Sequence, residues 1–242
     1  MSGERLAAWR AEFYAPVASF RDPLFPGLSH GLPLPPPSTV RGLLAAATGR
    51  PAEDVPFGMS AWAEGSGVDT ETYHPVAAGG ANPAVSGRVR AVKGGMTIRD
   101  RPFLVGLHLT VWLPGPEGGR IADALRRPRW ALRLGRSQDV VHLRGMKRVE
   151  LEPAEEGRVG HTLAPASGHD IGSAQEHRMA ASVSADRLTT RWADYLWCDI
   201  PAGVARLRGA YREVGGPRDR EDAIAGAAGS SEGEQAVWLL TP

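Results

Sequence analysis

The chain has 242 residues, with 28 basic and 27 acidic side chains, 42% hydrophobic residues and one cysteine. That is enough apolar material for one good-sized domain, or a domain with a satellite, yet no run approaches the roughly 20 apolar residues of a membrane span. The opening MSGERLAAWRAEF lacks a signal-peptide core, and the lone Cys198 excludes a disulfide framework or a thiolate zinc cluster, so a cytoplasmic protein is expected.

In chain order, Leu6–Tyr14 reads as a strand, with Trp9, Ala11 and Phe13 on one face and Arg10, Glu12 and Tyr14 on the other. The next segment, Ser19–Gly49, is SFRDPLFPGLSHGLPLPPPSTVRGLLAAATG. Pro35, Pro36 and Pro37 each fix φ near the polyproline value and stiffen the loop. Ser38 or Thr39 is placed to cap a helix. In that helix Val40, Leu43, Leu44 and Ala47 form one apolar face. Gly42 costs the helix about 1 kcal/mol against alanine and offers room for a close approach. The helix stops at Thr48-Gly49, with Pro51 beyond.

Phe57–Glu64 reads as a second strand. Gly65–Arg101 is rich in glycine and polar residues, which predicts either disorder or an extended hairpin held by something else. Phe103–Leu113 is the clearest strand, with Phe103, Val105, Leu107, Leu109 and Val111 on one face. Its other face carries Leu104, Gly106, His108, Thr110 and Trp112. Pro114–Gly119 reads as a turn, Arg120–Arg127 as a short helix and Trp130–Leu134 as a further strand.

The order β-α-β, long insertion, β-α-β predicts an α+β, ferredoxin-like (RRM-like) βαββαβ core over residues 1–140. That fold hosts many unrelated activities. Residues 141–242 read as a smaller, irregular, partly β extension packing on the core. Within it Val204–Arg212 and Ala236–Leu240 are candidate strands, and Gly215–Gly233 is loop-like.

Of the 28 basic residues, 26 are arginine, whose planar fork suits phosphate and base edges. Between Arg120 and Arg148, nine basic residues face only Asp123 and Asp139, a net of +7. Glu150–Glu176 then holds six acids against Arg158. A GC-rich genome accounts for part of the arginine excess but not for its blockwise segregation, which points to different faces for different partners.

Catalytic signatures are sparse. The seven histidines form neither HxH nor HExxH, so no metal is expected, and no phosphate-binding glycine loop or GxSxG elbow occurs, so no cofactor is expected. The histidines of the C-terminal third read as surface residues. Binding residues are more evident. Arg21 can pair with a phosphate and Phe20 can stack on a base beside Ser19; the alternative places Phe20 in the core and Arg21 on an acid. Arg41, beside Ser38 and Thr39, either reinforces an anion site at the helix start or is merely solvated. Arg136 and Gln138 of LGRSQD offer donors at a strand end, against a plain salt bridge from Arg136 to Asp139. Arg88, Arg90, Lys93, Arg99 and Arg101 make a basic strip suited to backbone phosphates, or a solubilising loop.

Several of these segments together resemble one family. APVASFRDP at Ala15–Pro23, PPPSTVRGLLAAATG at Pro35–Gly49, GMS at Gly58–Ser60, TYH at Thr72–His74, RDRPFL at Arg99–Leu104 and LGRSQD at Leu134–Asp139 occur in order over about the first 140 residues. In this the chain is similar to Cas5 proteins, backbone subunits of type I CRISPR surveillance (Cascade) complexes, and is closest to the type I-B group. The resemblance implies that the insertion at about 65–101 is a "thumb" hairpin. It implies that the CRISPR guide RNA is held by its 5′ handle around Ser19–Arg21. It also implies a Cas7-like backbone subunit and a Cas8-like large subunit as partners, with target DNA met indirectly and no membrane. One Cas5 branch, the I-C type, cuts precursor RNA with a tyrosine, a lysine and a histidine. Here Tyr14, Tyr73, His74, His108 and Lys93 are present, but the adjacent lysine-histidine pair is not, which predicts a non-catalytic, RNA-capping subunit. A metal-independent endoribonuclease and a generic protein-interaction module are the alternatives.

Overall fold

The computed structural model describes residues 5–22, 24, 30–73, 76–78, 89–91, 97–200, 203–214 and 235–242. Its strands are β1 (Leu6–Ala18), β2 (Gly58–Tyr73), β3 (Val76–Ala78), β4 (Val89–Ala91), β5 (Thr97–Pro114), β6 (His142–Arg158), β7 (Ala164–Pro165), β8 (Gln175–Val183), β9 (Thr190–Trp197), β10 (Val204–Val214) and β11 (Ala236–Val237). The helices are α1 (Pro37–Thr48) and α2 (Gly115–Arg126). A six-stranded sheet runs β11-β10-β6-β1-β5-β2, antiparallel at every pairing. A second sheet runs β7-β9-β8.

Alternation builds the main core. Ala11, Phe13 and Ala15 of β1 pair in register with Val111, Leu109 and Leu107 of β5, and all six are buried. Val40, Leu43, Leu44 and Ala47 of α1, with Ile121 and Leu125 of α2, cover this face. The β8–β9 layer packs against α1 through β8, and its Met179, Ala181, Tyr195 and Trp197 join the same core. Thus α1 lies between two sheets. On β5 the expected alternation fails at Gly106, whose φ is +60°. Leu107 faces the core and Leu104 packs partly against it, while Val105 is exposed.

Several boundaries move. Trp130–Leu134 is not a strand; only a single bridge joins Arg133 to Val140. The second helix starts earlier, at Gly115, within the expected turn. After residue 140, β6, β10 and β11 extend the same sheet as β1. The histidines of the C-terminal third are not surface residues: His169 is buried and His161 and His177 are half-buried. Burial holds all three imidazoles below their ordinary value. The expected loop Gly215–Gly233 lies outside the described residues. No helix among the described residues is long and apolar enough to cross a membrane.

The helix that organises the core has an unexpected cap. Pro36 is its N-cap and Pro37 its first residue, and neither Ser38 nor Thr39 makes a side-chain cap bond. Proline at the first helical position has no N–H to satisfy and a preset φ, so a hydroxyl cap is dispensable. Gly49 closes the helix in the left-handed conformation, at φ 75°. Gly42 faces open space: among the described residues no atom outside its own helix turn lies within 4 Å of where its Cβ would be.

Arg41 is buried, not solvated and not at an anion site. Its guanidinium donates to four carbonyl oxygens: Ala181 (3.2 Å), Glu53 (3.1 Å), Val55 (2.6 Å) and Leu240 (3.0 Å). It also lies over the Phe57 ring at 4.9 Å. Burial lowers its pKa from the ordinary value. These bonds tie α1 to the loop before β2, to β8 and to the C-terminal segment. Arg41→Met leaves those carbonyls without their donor. We expect it to cost about 3 kcal/mol, a fall in Tm of roughly 6–12 °C by calorimetry; an unchanged Tm would refute the tie.

Candidate nucleic-acid interface at the base of the β2–β5 arm

β2 and β5 continue as a two-stranded arm beyond the end of β1. Their register runs from Gly58↔Trp112 to Tyr73↔Thr97, whereas β1 leaves β5 at Ala18↔Leu104. Seven more residues per strand carry the arm out by roughly 23 Å. The stretch expected as disorder or hairpin is therefore a paired hairpin through Tyr73 and Thr97. Phe103 packs over Gly67, where a Cβ would lie 2.7 Å from the ring.

Three separate sequence segments meet where this arm leaves the sheet. The first is Ser19–Arg21, just past β1. The Ser19 N–H donates to Asp139 Oδ2 at 3.1 Å, and its hydroxyl donates to the Pro102 carbonyl at 2.7 Å. The second is the arm itself: Arg101 Nε donates to Ser19 Oγ at 3.1 Å, and its Nη1 lies 3.7 Å from Glu71. The third is LGRSQD. Its Asp139 accepts the Arg136 N–H (2.9 Å) and Arg136 Nε (3.2 Å), while Arg136 Nη1 donates to Glu71 at 3.2 Å. Burial alone lowers the Arg136 pKa, but Asp139 and Glu71 raise it further, so the guanidinium stays charged. Gly135 is obligatory here. Its φ is +110°, and a Cβ would lie 2.8 Å from the Ser19 carbonyl and 2.9 Å from Asp139.

Two adjoining cavities open on this junction. One, of about 70 Å³, is lined by Arg21, His30, Glu71, Arg99 and Arg101. The other, of about 220 Å³, is lined by Arg21, Pro36, Thr39, Arg101 and Arg136. Arg21 and Arg99 are exposed, and Arg101 and Arg136 are partly buried. Four arginines thus line two adjoining cavities, three in each, and Glu71 and Asp139 orient two of them, Arg101 and Arg136. Such an arrangement can hold two or more phosphate oxygens at fixed spacing.

The other expected site residues divide. Ser19 is present but buried, as a positioning group. Phe20 is buried in the core and cannot stack on a base. Ser38 is half-buried on α1 and lines a different cavity, of about 370 Å³, with Thr39 and Arg41. Thr39 reaches both cavities. Gln138 is exposed and accepts from Ser137 at 3.3 Å. The Arg136–Asp139 salt bridge weighed as the plainer reading is present. Arg88 and Lys93 lie outside the described residues, and Arg90 is described in its backbone alone, within β4.

A second constellation lies on the sheet face away from the helices, where His142, Tyr14, His108 and Trp62 stand in register across β6, β1, β5 and β2. Trp62 stacks on His108 (4.1 Å, 3° between planes), and Tyr14 meets the same imidazole edge-on at 5.2 Å. His108 Nε2 bonds Glu64 at 2.8 Å, and Arg144 lies 4.3 Å over Tyr14. The Glu64 carboxylate reaches across Gly106, where a side chain would collide with it. Sequence reading missed Glu71 and Trp62. An aromatic residue in phase with Ser60 and Glu64, on the polar side of β2, was the available signal for Trp62.

The family model for CRISPR-associated proteins (Cas_Cas5) matches residues 10–195. The chain belongs to the Cas5 family. Its fold is similar to that of a chain of a CRISPR RNA-guided surveillance complex, at TM-score 0.51 and 20% identity, covering 82% of this Cas5 chain and 91% of that one. A CRISPR protein from Archaeoglobus fulgidus aligns at TM-score 0.44 and 13% identity, over 87% and 96% of the two chains. A chain of a type III-B Cmr-beta complex bound to cognate target RNA aligns at TM-score 0.42 and 9% identity, over 86% of each chain. No curated protein matches.

In this Cas5 chain the buried Asp139 carboxylate joins the end of β1 to the LGRSQD loop. Asp139→Asn keeps the size but removes the charge that two N–H groups and a guanidinium share. A loss of about 2 kcal/mol is expected in urea unfolding; an unchanged midpoint would mean that these bonds do not hold the junction.

Proposed function

We propose that this Cas5 chain is a non-catalytic RNA-binding subunit of a type I Cascade-like complex, of the I-B group, which holds the 5′ handle of the guide RNA at the base of its arm. The observation that carries this reading is the gathering of Arg21, Arg99, Arg101 and Arg136, from three segments distant in sequence, around two adjoining cavities at the arm base. Family membership supports a CRISPR role for those cavities. The strand order β6-β1-β5-β2, with α1 and α2 both on one face, supports a ferredoxin-like core. In that reading the β2–β5 arm is the thumb, placed to reach a neighbouring Cas7-like subunit. The same subunit bridges that backbone to a Cas8-like large subunit.

A second reading has one observation in its favour. Tyr14, His108 and Glu64 form a contiguous acid–base group with Arg144 beside it, which is the kind of group that metal-independent RNA cleavage uses. The lysine-histidine pair of the cleaving branch is absent, since Leu107 precedes His108.

One experiment separates these. Affinity for a labelled 5′-handle RNA is measured across a salt series in EDTA, with a scrambled RNA as control. The RNA should remain intact. Arg21→Ala with Arg99→Ala should weaken binding at least tenfold and reduce the salt slope by about 1.4, as expected for two lost phosphate contacts on a single strand. Unchanged affinity and slope would remove the arm base as the RNA site. With a labelled precursor repeat RNA in the same EDTA buffer, cleavage beside the repeat stem, lost in His108→Ala, would favour the endoribonuclease.

A further inference from the structure

The chain after α2 turns a run of arginines and a tryptophan into solvent. Arg126, Arg127, Arg129 and Trp130 are all exposed, and Arg133 follows. Trp130 is 62% exposed, an unusual position for the largest aromatic side chain. Its backbone is nevertheless fixed. The Arg129 and Trp130 N–H groups donate to Ala47 (2.9 Å) and Ala46 (3.0 Å), the otherwise unpaired carbonyls at the end of α1. The left-handed Gly49 that closes α1 also seats Arg129, because a Cβ there would lie 2.7 Å from the Arg129 side chain. The Arg129 guanidinium lies over the Trp130 ring at 5.3 Å.

Arg127, Arg129 and Arg133 form no ion pair among the described residues. They contrast with Arg120, held by Glu53 and Glu117, and with Arg126, held by Asp123. The +7 block of the sequence is therefore partly neutralised in the fold; what remains divides between Arg127, Arg129 and Arg133 around Trp130 and Arg144 and Arg148 on β6, which lie over Tyr14 and Trp9. This surface is continuous with the arm base. Thr39 and Arg136 line the same cavity there, while Ala46 and Ala47 hold Trp130 and Arg129. Seven or eight residues of helix separate these points, about 12 Å. The segment 129–136 thus runs back along α1 to the arm base, with Arg133 between.

The charge calls for a polyanion. Leu132 is buried and Trp130 is the one large apolar side chain exposed in this run, so positive charge dominates the surface. A lone rigid aromatic among guanidinium groups matches the stacking platforms that bind single strands without sequence preference.

We propose that single-stranded RNA leaving the arm-base site follows residues 129–136 along α1, its phosphates on Arg129 and Arg133 and one base stacked on Trp130. This rests on the RNA-binding reading above and assigns it a second, separable subsite.

The test uses the full chain and fluorescein-labelled oligouridylates of 4, 8 and 12 nucleotides. Wild-type affinity should rise with length. Trp130→Ala should lose roughly tenfold for the 12-mer and little for the 4-mer, while Trp130→Phe, which keeps a stacking ring, should retain most of the gain; Tm should not change. If Trp130→Ala binds every length as wild type does while Arg21→Ala weakens all of them, the track is overturned and the arm-base site stands. No binding by wild type at any length overturns both. A Trp130→Ala chain that binds RNA normally but fails to assemble with its partner subunits assigns the surface to protein and overturns the proposal.

Discussion

Arg41 shows what this fold depends on. A buried guanidinium is tolerable only when its donors are met, and here four backbone carbonyls from three distant segments meet them. No carboxylate bonds to it, so peptide dipoles solvate the charge, with Asp54 acting on it only at a distance. The consequence is mechanical. The helix that covers the sheet, the loop into β2, the second sheet and the chain's end cannot shift independently. Since Thr39 and the proline tract at the start of that helix line the arm-base cavity, Arg41 also fixes one wall of the candidate site from within.

The opposite wall is set by Asp139. Its carboxylate gathers the first N–H past β1 and both the N–H and guanidinium of Arg136, over a glycine that leaves no room for a side chain. Glu71 on the arm then pairs with both Arg136 and Arg101. Two acids thus orient two arginines, leaving Arg21 and Arg99 at the exposed rim. The arrangement is preorganised: phosphate would meet guanidinium groups already positioned, with less side-chain entropy to lose on binding. Glu71, partly exposed, is the competitor that an incoming anion must displace.

Much of this was legible where the physics is local. The period-2 pattern of Ala11, Phe13, Leu107 and Leu109 predicted the central strands, and the periodic apolar face of Val40–Ala47 predicted α1. The Arg136–Asp139 pair, three residues apart, was foreseeable as a salt bridge. Non-local partners were not. Nothing in the order of residues shows that Arg41 would find carbonyls at positions 53, 55, 181 and 240, or that Glu71 would face Arg136. Phe20 could be core or stacking platform by composition, and only packing decided. Ser38 and Thr39 fall inside the helix, because Pro36 is the N-cap and Pro37 the first helical residue. The face switch at Gly106 is a matter of a single φ angle, which leaves no trace in hydrophobic periodicity. The pairing of β6 with β1 joins residues about 140 positions apart, which periodicity cannot show.

The central claim is that guide RNA lies against the arm base. Ultraviolet cross-linking of the assembled complex, followed by mass spectrometry of the RNA-bound peptides of this chain, tests it most directly. Cross-links within residues 19–22, 99–102 and 133–138 are predicted. Cross-links confined to the open sheet face around Tyr14, Trp62 and His108 would contradict it.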